Sequence, residues 1–261
     1  MSDQAPKMLT RRYYERLSEL EDKHPWTEAM RRMGLELAAH YAGPVPTRIL
    51  DAGCGTGRFL HECGGQWAQA QIFGCDLSAD GLHFATRRGL KRLAVANVTS
   101  LPFAPRTFDV IVCADVLQHL SAANANQALG QFAGLLRRRG TLIIRTAARR
   151  GIGAKKHRDS GDYQQWGPEK LRAALVGHGF EIVFLSRVNW LPSLWADCKA
   201  LLKSVPKGDV GLSLKPLPAN HWKSRLMTFY WNRERHLILT RGWRPPGGHT
   251  LFCSARKAGR D

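Results

Sequence analysis

The residues of this chain best suited to chemistry form a glycine-rich turn that directly follows a short apolar run. The turn reads DAGCGTG at residues 51–57 and opens into a segment with helical spacing. Because glycine has no Cβ, such a turn can bend sharply and lets a ligand approach the backbone closely. The spacing differs from the dinucleotide pattern GxGxxG, since position 58 is arginine and the third glycine is Gly57. The turn therefore predicts a small-ligand site of another kind.

A carboxylate stands at the end of the next apolar run. Asp76 closes the run at residues 71–76. In folds that bind adenosine cofactors, an acid at this place accepts hydrogen bonds from both ribose hydroxyls, and it repels a 2′-phosphate. The glycine turn and Asp76 together predict a site for a ligand that contains adenosine.

The elements that must position these residues alternate between short apolar runs and helical segments. Continuous apolar runs separated by helices are typical of a parallel sheet covered on both faces, and the right-handed crossover rule makes it doubly wound. The predicted strands are 48–51, 71–76, 93–96, 108–113, 141–145, 180–185 and 250–255, and the predicted helices are 57–69, 78–89, 121–138 and 167–179. The predicted class is α/β, with a Rossmann-like, mostly parallel sheet and an antiparallel last strand.

Two segments fall outside this alternation. Residues 1–46 carry two helical patterns and end in a Gly-Pro-Val-Pro breaker cluster, so we expect an N-terminal helical segment that covers the site. Residues 190–247 hold five of the eight tryptophans and have helical periodicity. We expect them to form a helical cap inserted into a core made of residues 47–189 and 248–261.

Five ordered motifs resemble those of the class I S-adenosylmethionine-dependent methyltransferases. They are the glycine turn at 51–57, the acidic motif GCDLS at 74–78, the adenine-contact segment at 97–103, the fourth strand and its active-site end at 108–120, and the turn into the fifth strand at 135–144. The resemblance covers about residues 48–185, recurs at 250–257 and is weakest over 190–247. It implies S-adenosylmethionine as cofactor, S-adenosylhomocysteine as product, and no metal ion.

The resemblance also implies a role for each cofactor-side residue. Asp76 takes the ribose, Leu77 packs on adenine, and Asn97 offers a carbonyl acceptor where the family most often has Asp. For Asp51, bracing of the loop backbone is favoured over direct ligand contact. The full cofactor-binding set is Asp51, Gly53, Gly55, Gly57, Asp76, Leu77, Asn97, Val98 and Ala114.

The catalytic and acceptor residues follow from the chemistry that the resemblance implies. Methyl transfer from a sulfonium is an in-line displacement with a neutral leaving group, so alignment can supply ~7–11 kcal/mol. A general base adds about 10²–10⁴-fold, and only where the acceptor must lose a proton. The predicted base is His119, with Asp115 beside it; a polar residue at a helix start remains an alternative for His119. The predicted acceptor-binding residues are Tyr14, Trp26, His157, Arg158 and Tyr163.

The charge of the chain leaves more than one acceptor class open. Its 39 basic and 21 acidic residues give a net charge of +18, which attracts polyanions and anionic membrane surfaces. We expect a methyltransferase for a small-molecule or a lipid- or sugar-linked acceptor, with an anionic group on that acceptor as the sharper reading of the basic loop after the fifth strand. An RNA methyltransferase is the first alternative, and a non-catalytic protein that binds an adenosyl ligand is the second.

The location of the protein follows from what its composition excludes. No apolar stretch is long enough to span a membrane, and no signal peptide is apparent. The six cysteines show no metal or disulfide spacing, which favours a reduced, cytoplasmic protein. The tryptophans and interleaved basic residues of 190–247 also fit a peripheral membrane face, although a core for the cap itself is preferred.

Overall fold

The computed structural model describes residues 9–43, 45–148, 164–202 and 221–259, and these ranges form one layered α/β unit. Side-chain caps set several helix starts, since Thr10, Ser78 and Ser121 each accept a hydrogen bond from a backbone N–H of the first turn. The helices are α1 (Arg11–Lys23), α2 (Pro25–Tyr41), α3 (Arg58–Gln66), α4 (Ala79–Arg87), α5 (Ala122–Leu135), α6 (Pro168–Gly177), α7 (Trp190–Leu202) and α8 (Trp222–Thr240).

Seven strands form a single sheet in the order β3-β2-β1-β4-β5-β7-β6. They are β1 (Arg48–Ala52), β2 (Gln71–Asp76), β3 (Leu93–Val95), β4 (Phe108–Ala114), β5 (Leu136–Ala147), β6 (Phe180–Val188) and β7 (Thr250–Lys257). The pairs among β1 to β5 are parallel, and β7 runs antiparallel to both β5 and β6. The strand order reverses between β1 and β4, so the carboxyl ends of these two strands flank the crevice where such sheets bind ligands. The predicted fold class is confirmed.

The two faces of the sheet carry separate apolar cores. Consecutive residues of each strand point to opposite faces, so Val110 and Val112 face one core while Ile111 and Cys113 face the other. Helices α5 and α6 cover the second face, and α2 and α8 cover the first. All six cysteines are free thiols, and five of them are buried.

The segment predicted as a cap divides between two places. Its helical character agrees with α7 and α8, but Trp231 and Ile238 of α8 pack beside Met33 of α2 in the core under the sheet. Helix α8 thus contributes to a core of the main fold, and the division of the chain at 190–247 stays a prediction. Helix α7 follows the carboxyl end of β6, at the same edge as the ends of β1 and β4.

One predicted boundary also differs. The helix predicted over 121–138 ends at Leu135, and residues from Leu136 onward already belong to β5, where Leu136 pairs with Phe108. Sheet pairing overrides the local helical spacing there. In the described ranges, no helix is both long and apolar enough to cross a membrane.

Candidate active site

The glycine turn joins β1 to α3 and is fastened to β2. The N–H groups of Gly53 and Cys54 both donate to the carbonyl of Cys75, at 2.8 and 2.9 Å. Gly53 has φ +94°, and a Cβ placed on it would lie 2.2 Å from Cγ2 of Val116. Position 53 therefore admits only glycine, because the backbone angle and the packing against the end of β4 both exclude a side chain.

Gly57 has a clear role in the packing of the fold. It has φ +75°, and a Cβ there would lie 2.7 Å from Cβ of Ala85 in α4. The third glycine of the turn thus lets α3 begin close against α4. The role implied for Gly57 at the methionine end of the cofactor remains a prediction.

Asp76 accepts hydrogen bonds from three directions. Its Oδ2 accepts from the Gly55 N–H at 2.8 Å, and its Oδ1 accepts from the Ser78 N–H at 2.9 Å and from the Tyr14 hydroxyl at 3.1 Å. The carboxylate is thereby aimed across the glycine turn. The Tyr14 hydroxyl marks where a ligand hydroxyl would approach the same oxygen.

Helix α1 lies over the glycine turn. A Cβ on Gly81 would lie 2.8 Å from the Tyr14 ring, so that ring packs directly on the start of α4. The Thr56 hydroxyl donates to the Glu21 carboxylate, which joins α1 to the turn itself. Asp22 pairs with Arg58 at 3.1 Å and with Arg88 at 3.0 Å. These contacts place Tyr14 beside Asp76, and the acceptor-binding role predicted for Tyr14 stays a prediction.

Asp51 is a buried carboxyl group, and one of its oxygens is an unsatisfied hydrogen-bond acceptor among the described residues. Its Oδ1 lies out of solvent and has no hydrogen-bond partner among the described residues. Burial raises the pKa of Asp51 from 3.8 to about 8, and the positive charge of Arg145 opposes that rise. The loop bracing predicted for Asp51 is not seen at this oxygen. A buried acceptor without a partner suits a cationic ligand group, such as the ammonium of a methionine moiety.

The raised pKa of Asp51 makes the stability of the ligand-free protein depend on pH. Between 3.8 and about 8 the folded protein holds a proton that the unfolded chain has released, so its free energy of unfolding falls as the pH rises through this window. Asp51→Asn cannot titrate. We expect thermal unfolding to show the wild type losing stability relative to this variant from about pH 5 to pH 8. Parallel melting-temperature profiles would contradict the assignment.

The adenine end of the site is open. The Leu77 side chain is 56% exposed directly after Asp76, which suits an apolar platform for a base, and Val98 is buried in the core that contains Cys75 and Ile111. The amide oxygen of Asn97 accepts from both the N–H and the hydroxyl of Thr99, each at 3.0 Å. In this structure that oxygen therefore holds its own loop, and the contact to adenine implied for Asn97 remains a prediction.

The opposite end of the site contains an ion pair covered by a tryptophan. Asp115 follows Ala114 at the end of β4 with φ +57°, and its carboxylate lies 2.6 Å from the guanidinium of Arg145 on β5. That guanidinium also lies over the Trp26 ring, 5.8 Å from its centroid, and its Nε is buried without a partner among the described residues. The structure thus brings Trp26, Asp115 and Arg145 together.

His119 closes the short 3₁₀ turn 117–119 after β4, four residues beyond Asp115. The surrounding protein lowers the pKa of His119 from 6.5, and the negative charge of Asp115 opposes this. The imidazole is therefore neutral near pH 7 and can accept a proton, as a general base must. The role of His119 as the base stays a prediction.

Some contacts of the site had no sequence signal. Glu21 lies in an ordinary amphipathic helix, and nothing in its spacing indicates that it reaches Thr56. The pairing of Arg145 with Asp115 arises only because Arg145 on β5 lies opposite the end of β4. His157, Arg158 and Tyr163 lie outside the described residues.

These observations fit S-adenosylmethionine on this chain's own residues. The turn excludes side chains at Gly53, the Asp76 carboxylate is aimed across it, Leu77 offers an exposed apolar surface, and Asp51 supplies an unanswered buried acceptor. No group of His, Cys, Asp and Glu side chains suited to a metal ion occurs among the described residues.

Comparison with known proteins identifies methyltransferases as relatives of this chain. The family described as "Methyltransferase domain" matches residues 50–144, which hold the glycine turn, Asp76 and His119. A malonyl-[acyl-carrier protein] O-methyltransferase from Herminiimonas arsenicoxydans is 28% identical over 240 residues, covering 85% of this chain and 88% of that protein. A protein of the same name from Geobacter sulfurreducens is 30% identical over 187 residues, covering 65% of this chain and 68% of that protein.

Other relatives share less of their length. An uncharacterised protein from Methanocaldococcus jannaschii is 29% identical over 148 residues, which cover 56% of this chain and 60% of that protein. A probable tRNA methyltransferase 9B from Bos taurus is 33% identical over 97 residues, covering 37% of this chain and only 20% of that protein. This chain thus spans less than two thirds of both of these relatives.

The fold has counterparts among solved structures. A SAM-dependent methyltransferase from Archaeoglobus fulgidus superposes with a TM-score of 0.60 at 18% identity, covering 94% of this chain and 100% of that one. At this identity the likeness establishes the fold alone. The shared fold, the family match and the Geobacter relative together show that the chain belongs to the class I S-adenosylmethionine-dependent methyltransferases.

Proposed function

We propose that this methyltransferase acts on a small-molecule, or lipid- or sugar-linked, acceptor that carries an anionic group. The observation that carries the proposal is the Arg145 guanidinium at the carboxyl end of the sheet, held between Asp115 and Trp26 with a buried Nε that lacks a partner. A cation fixed on a strand at this edge is suited to orient an acceptor carboxylate or phosphate. The malonyl group in the names of two relatives is a carboxylic acid, which supports an acceptor of this charge.

The main task of these residues in the reaction is to align the acceptor atom with the methyl group of the cofactor. When bound, S-adenosylmethionine supplies an electrophilic methyl group on a sulfonium. Asp76 and the glycine turn hold the adenosyl end, and Asp51 receives the cationic methionine end. Arg145 and Trp26 orient the acceptor from the other side, so that its nucleophilic O, N or C atom points towards the carboxyl end of β4. His119 takes the proton of an acceptor that must lose one.

A substitution at Arg145 tests the acceptor anchor. We expect Arg145→Gln to raise the acceptor KM about tenfold or more, because a charge-assisted hydrogen bond contributes about 1.5–3 kcal/mol. Arg145→Lys keeps the charge and should recover part of the affinity. Isothermal calorimetry should give a nearly unchanged Kd for S-adenosylmethionine in both variants. An unchanged KM in Arg145→Gln would remove Arg145 from the acceptor site.

RNA is the second candidate acceptor. It is favoured by the net charge of +18 and by the tRNA methyltransferase among the relatives. A basic surface attracts RNA whether or not RNA is methylated, so binding alone does not separate the two proposals. Incorporation of the methyl group does.

The deciding experiment supplies methyl-labelled S-adenosylmethionine to the purified chain together with total RNA, a metabolite extract or a lipid extract. We expect label in the metabolite or lipid extract and none in RNA, and Asp76→Ala should reduce it at S-adenosylmethionine concentrations near the wild-type Kd. RNA affinity is then measured between low and moderate salt, where a steep decline reports the number of phosphates contacted. A steep slope together with label in RNA would overturn the proposal in favour of RNA. A steep slope without label would indicate only the attraction of a cationic protein for a polyanion.

A further inference from the structure

Helices α7 and α8 each expose a stripe of large apolar side chains. Every member is between 47% and 65% exposed, and the helical spacing places each stripe on one face of its helix. We call the six residues together the exposed apolar set: Leu191, Leu194 and Trp195 on α7, and Trp222, Leu226 and Phe229 on α8. Side chains of this size are costly to leave in water, and clusters of them mark interaction sites.

The two helices are fastened to each other where α7 begins. The N–H groups of Asn189 and Trp190 donate to the Glu234 carboxylate of α8 at 2.9 and 2.8 Å. The Leu191 N–H donates to the Tyr230 hydroxyl at 3.1 Å, and that hydroxyl donates to Glu234 at 2.7 Å. The start of α7 therefore lies against the Tyr230–Glu234 part of α8, which fixes the first turn of α7 relative to α8.

The exposed apolar set is not needed to complete the hydrophobic core of the fold. Helix α8 already buries Trp231 and Ile238 against the sheet and α2. Its stripe of Trp222, Leu226 and Phe229 lies on another part of the helix surface. The exposed apolar area of α8 is thus separate from the apolar area that α8 buries in the core.

The charges beside this apolar surface are positive. Lys223, Arg225 and Arg233 of α8 are exposed. Two acidic residues occur in α7 and α8, and both are engaged: Glu234 is buried in the contacts above, and Asp197 lies 3.2 Å from His249. Large apolar groups flanked by basic side chains complement an anionic lipid surface, where the former enter the interface and the latter reach the headgroups.

We propose that the exposed apolar set and the basic residues of α8 form a docking face for membranes that contain anionic phospholipid. Helix α7 begins at the carboxyl edge of the sheet, so a membrane on this face would lie beside the acceptor side of the site. The partner is a lipid surface, because six exposed aliphatic and aromatic side chains exceed what phosphate recognition by RNA requires. The proposal goes beyond the methyl acceptor and does not depend on its identity.

The test uses the full chain and vesicles without acceptor or cofactor. Sedimentation with phosphatidylcholine vesicles, with and without phosphatidylglycerol, should give binding that depends on the anionic lipid. Trp195→Ser with Trp222→Ser should weaken it at least about tenfold, since each substitution removes an aromatic ring from the interface. Lys223→Gln with Arg225→Gln should weaken it about 10- to 30-fold, at roughly 1 kcal/mol for each charge. Val176→Ser is the matched control, because Val176 is 57% exposed on α6, on the other face of the sheet.

The outcomes separate the possible partners. Tryptophan fluorescence that shifts to the blue with anionic vesicles, and loses that shift in the double tryptophan variant, supports the proposal. Vesicle binding that survives the tryptophan substitutions overturns it, because attraction by net charge alone then accounts for the binding. Binding of RNA that falls with the tryptophan substitutions while vesicle binding does not would also overturn it and assign the face to nucleic acid. Circular dichroism confirms that each variant is folded.

Discussion

The Asp76→Ala variant is expected to bind S-adenosylmethionine about 10- to 150-fold more weakly than the wild type. The proposed ribose contact consists of hydrogen bonds to a charged group, which contribute about 1.5–3 kcal/mol, and each 1.4 kcal/mol changes Kd tenfold. The same carboxylate holds the Gly55 N–H at 2.8 Å, so its loss also releases the glycine turn. Isothermal titration calorimetry measures the effect directly.

Two controls separate ribose contact from loop support. Asp76→Asn keeps one oxygen that can accept from Gly55 but replaces the oxygen that accepts from Ser78 and Tyr14 with an NH2 group, so affinity lost in this variant reports the missing charge together with that acceptor. Asp80→Asn changes a neighbouring carboxylate in the first turn of α4 and should leave Kd nearly unchanged. Tyr14→Phe removes a donor to Oδ1 of Asp76, the oxygen that does not bind Gly55, and should not weaken binding. An unchanged Kd in Asp76→Ala would refute the ribose assignment, and NAD should not compete in any of these proteins.

The His119→Ala variant is expected to lower kcat about 100-fold or more with little change in cofactor affinity. This is the low end of what a positioned general base contributes when the acceptor must lose a proton. Because burial lowers the pKa of His119 below 6.5, the wild-type kcat should rise with pH through a value below 6.5 and then level off. Steady-state kinetics across this range, with calorimetry for the cofactor, provide both readouts.

His83→Ala is the matched control for this variant, because His83 is an exposed histidine on α4 away from β4. The acid limb of the pH profile should persist in this control and disappear in His119→Ala. A preserved kcat in His119→Ala would mean that the nucleophile arrives without a proton to lose, as a carboxylate does. A loss of cofactor affinity with kcat preserved would place His119 in the binding shell.

Local signals in the chain were sufficient to predict the sheet and the positions of the glycine turn and Asp76. The apolar runs ending at Asp51, Asp76 and Cys113 identify neighbouring parallel strands, because continuous apolar runs suit a sheet that is buried on both faces. The glycine turn and Asp76 lie at the ends of two such strands, so their proximity follows from the parallel pairing of β1 and β2. The predicted parallel part of the sheet was confirmed for this reason, and the antiparallel last strand was confirmed as well.

Predictions that depended on contacts distant in sequence fared differently. Periodicity identified helices in 190–247 but could not tell a cap from a layer, because Trp231 and Ile238 are apolar in either case. The spacing of α1 likewise predicted a helix near the site without indicating that Tyr14 would reach Asp76. In both cases the helix was predictable, and the surface against which it packs was not.

The sequence by itself determined the order of strands and helices along the chain, the position of the glycine turn and of the acid that follows it, and the family to which the chain belongs. These are short-range properties, set by apolar periodicity, by the conformational freedom of glycine and by residues at the ends of strands. Only the tertiary structure decided that Arg145 pairs with Asp115 under Trp26, that Asp51 is buried with an unanswered oxygen, and that α8 supports the sheet while exposing a second apolar stripe. Burial and long-range pairing depend on which surfaces come into contact after folding, and local sequence patterns do not predict those contacts.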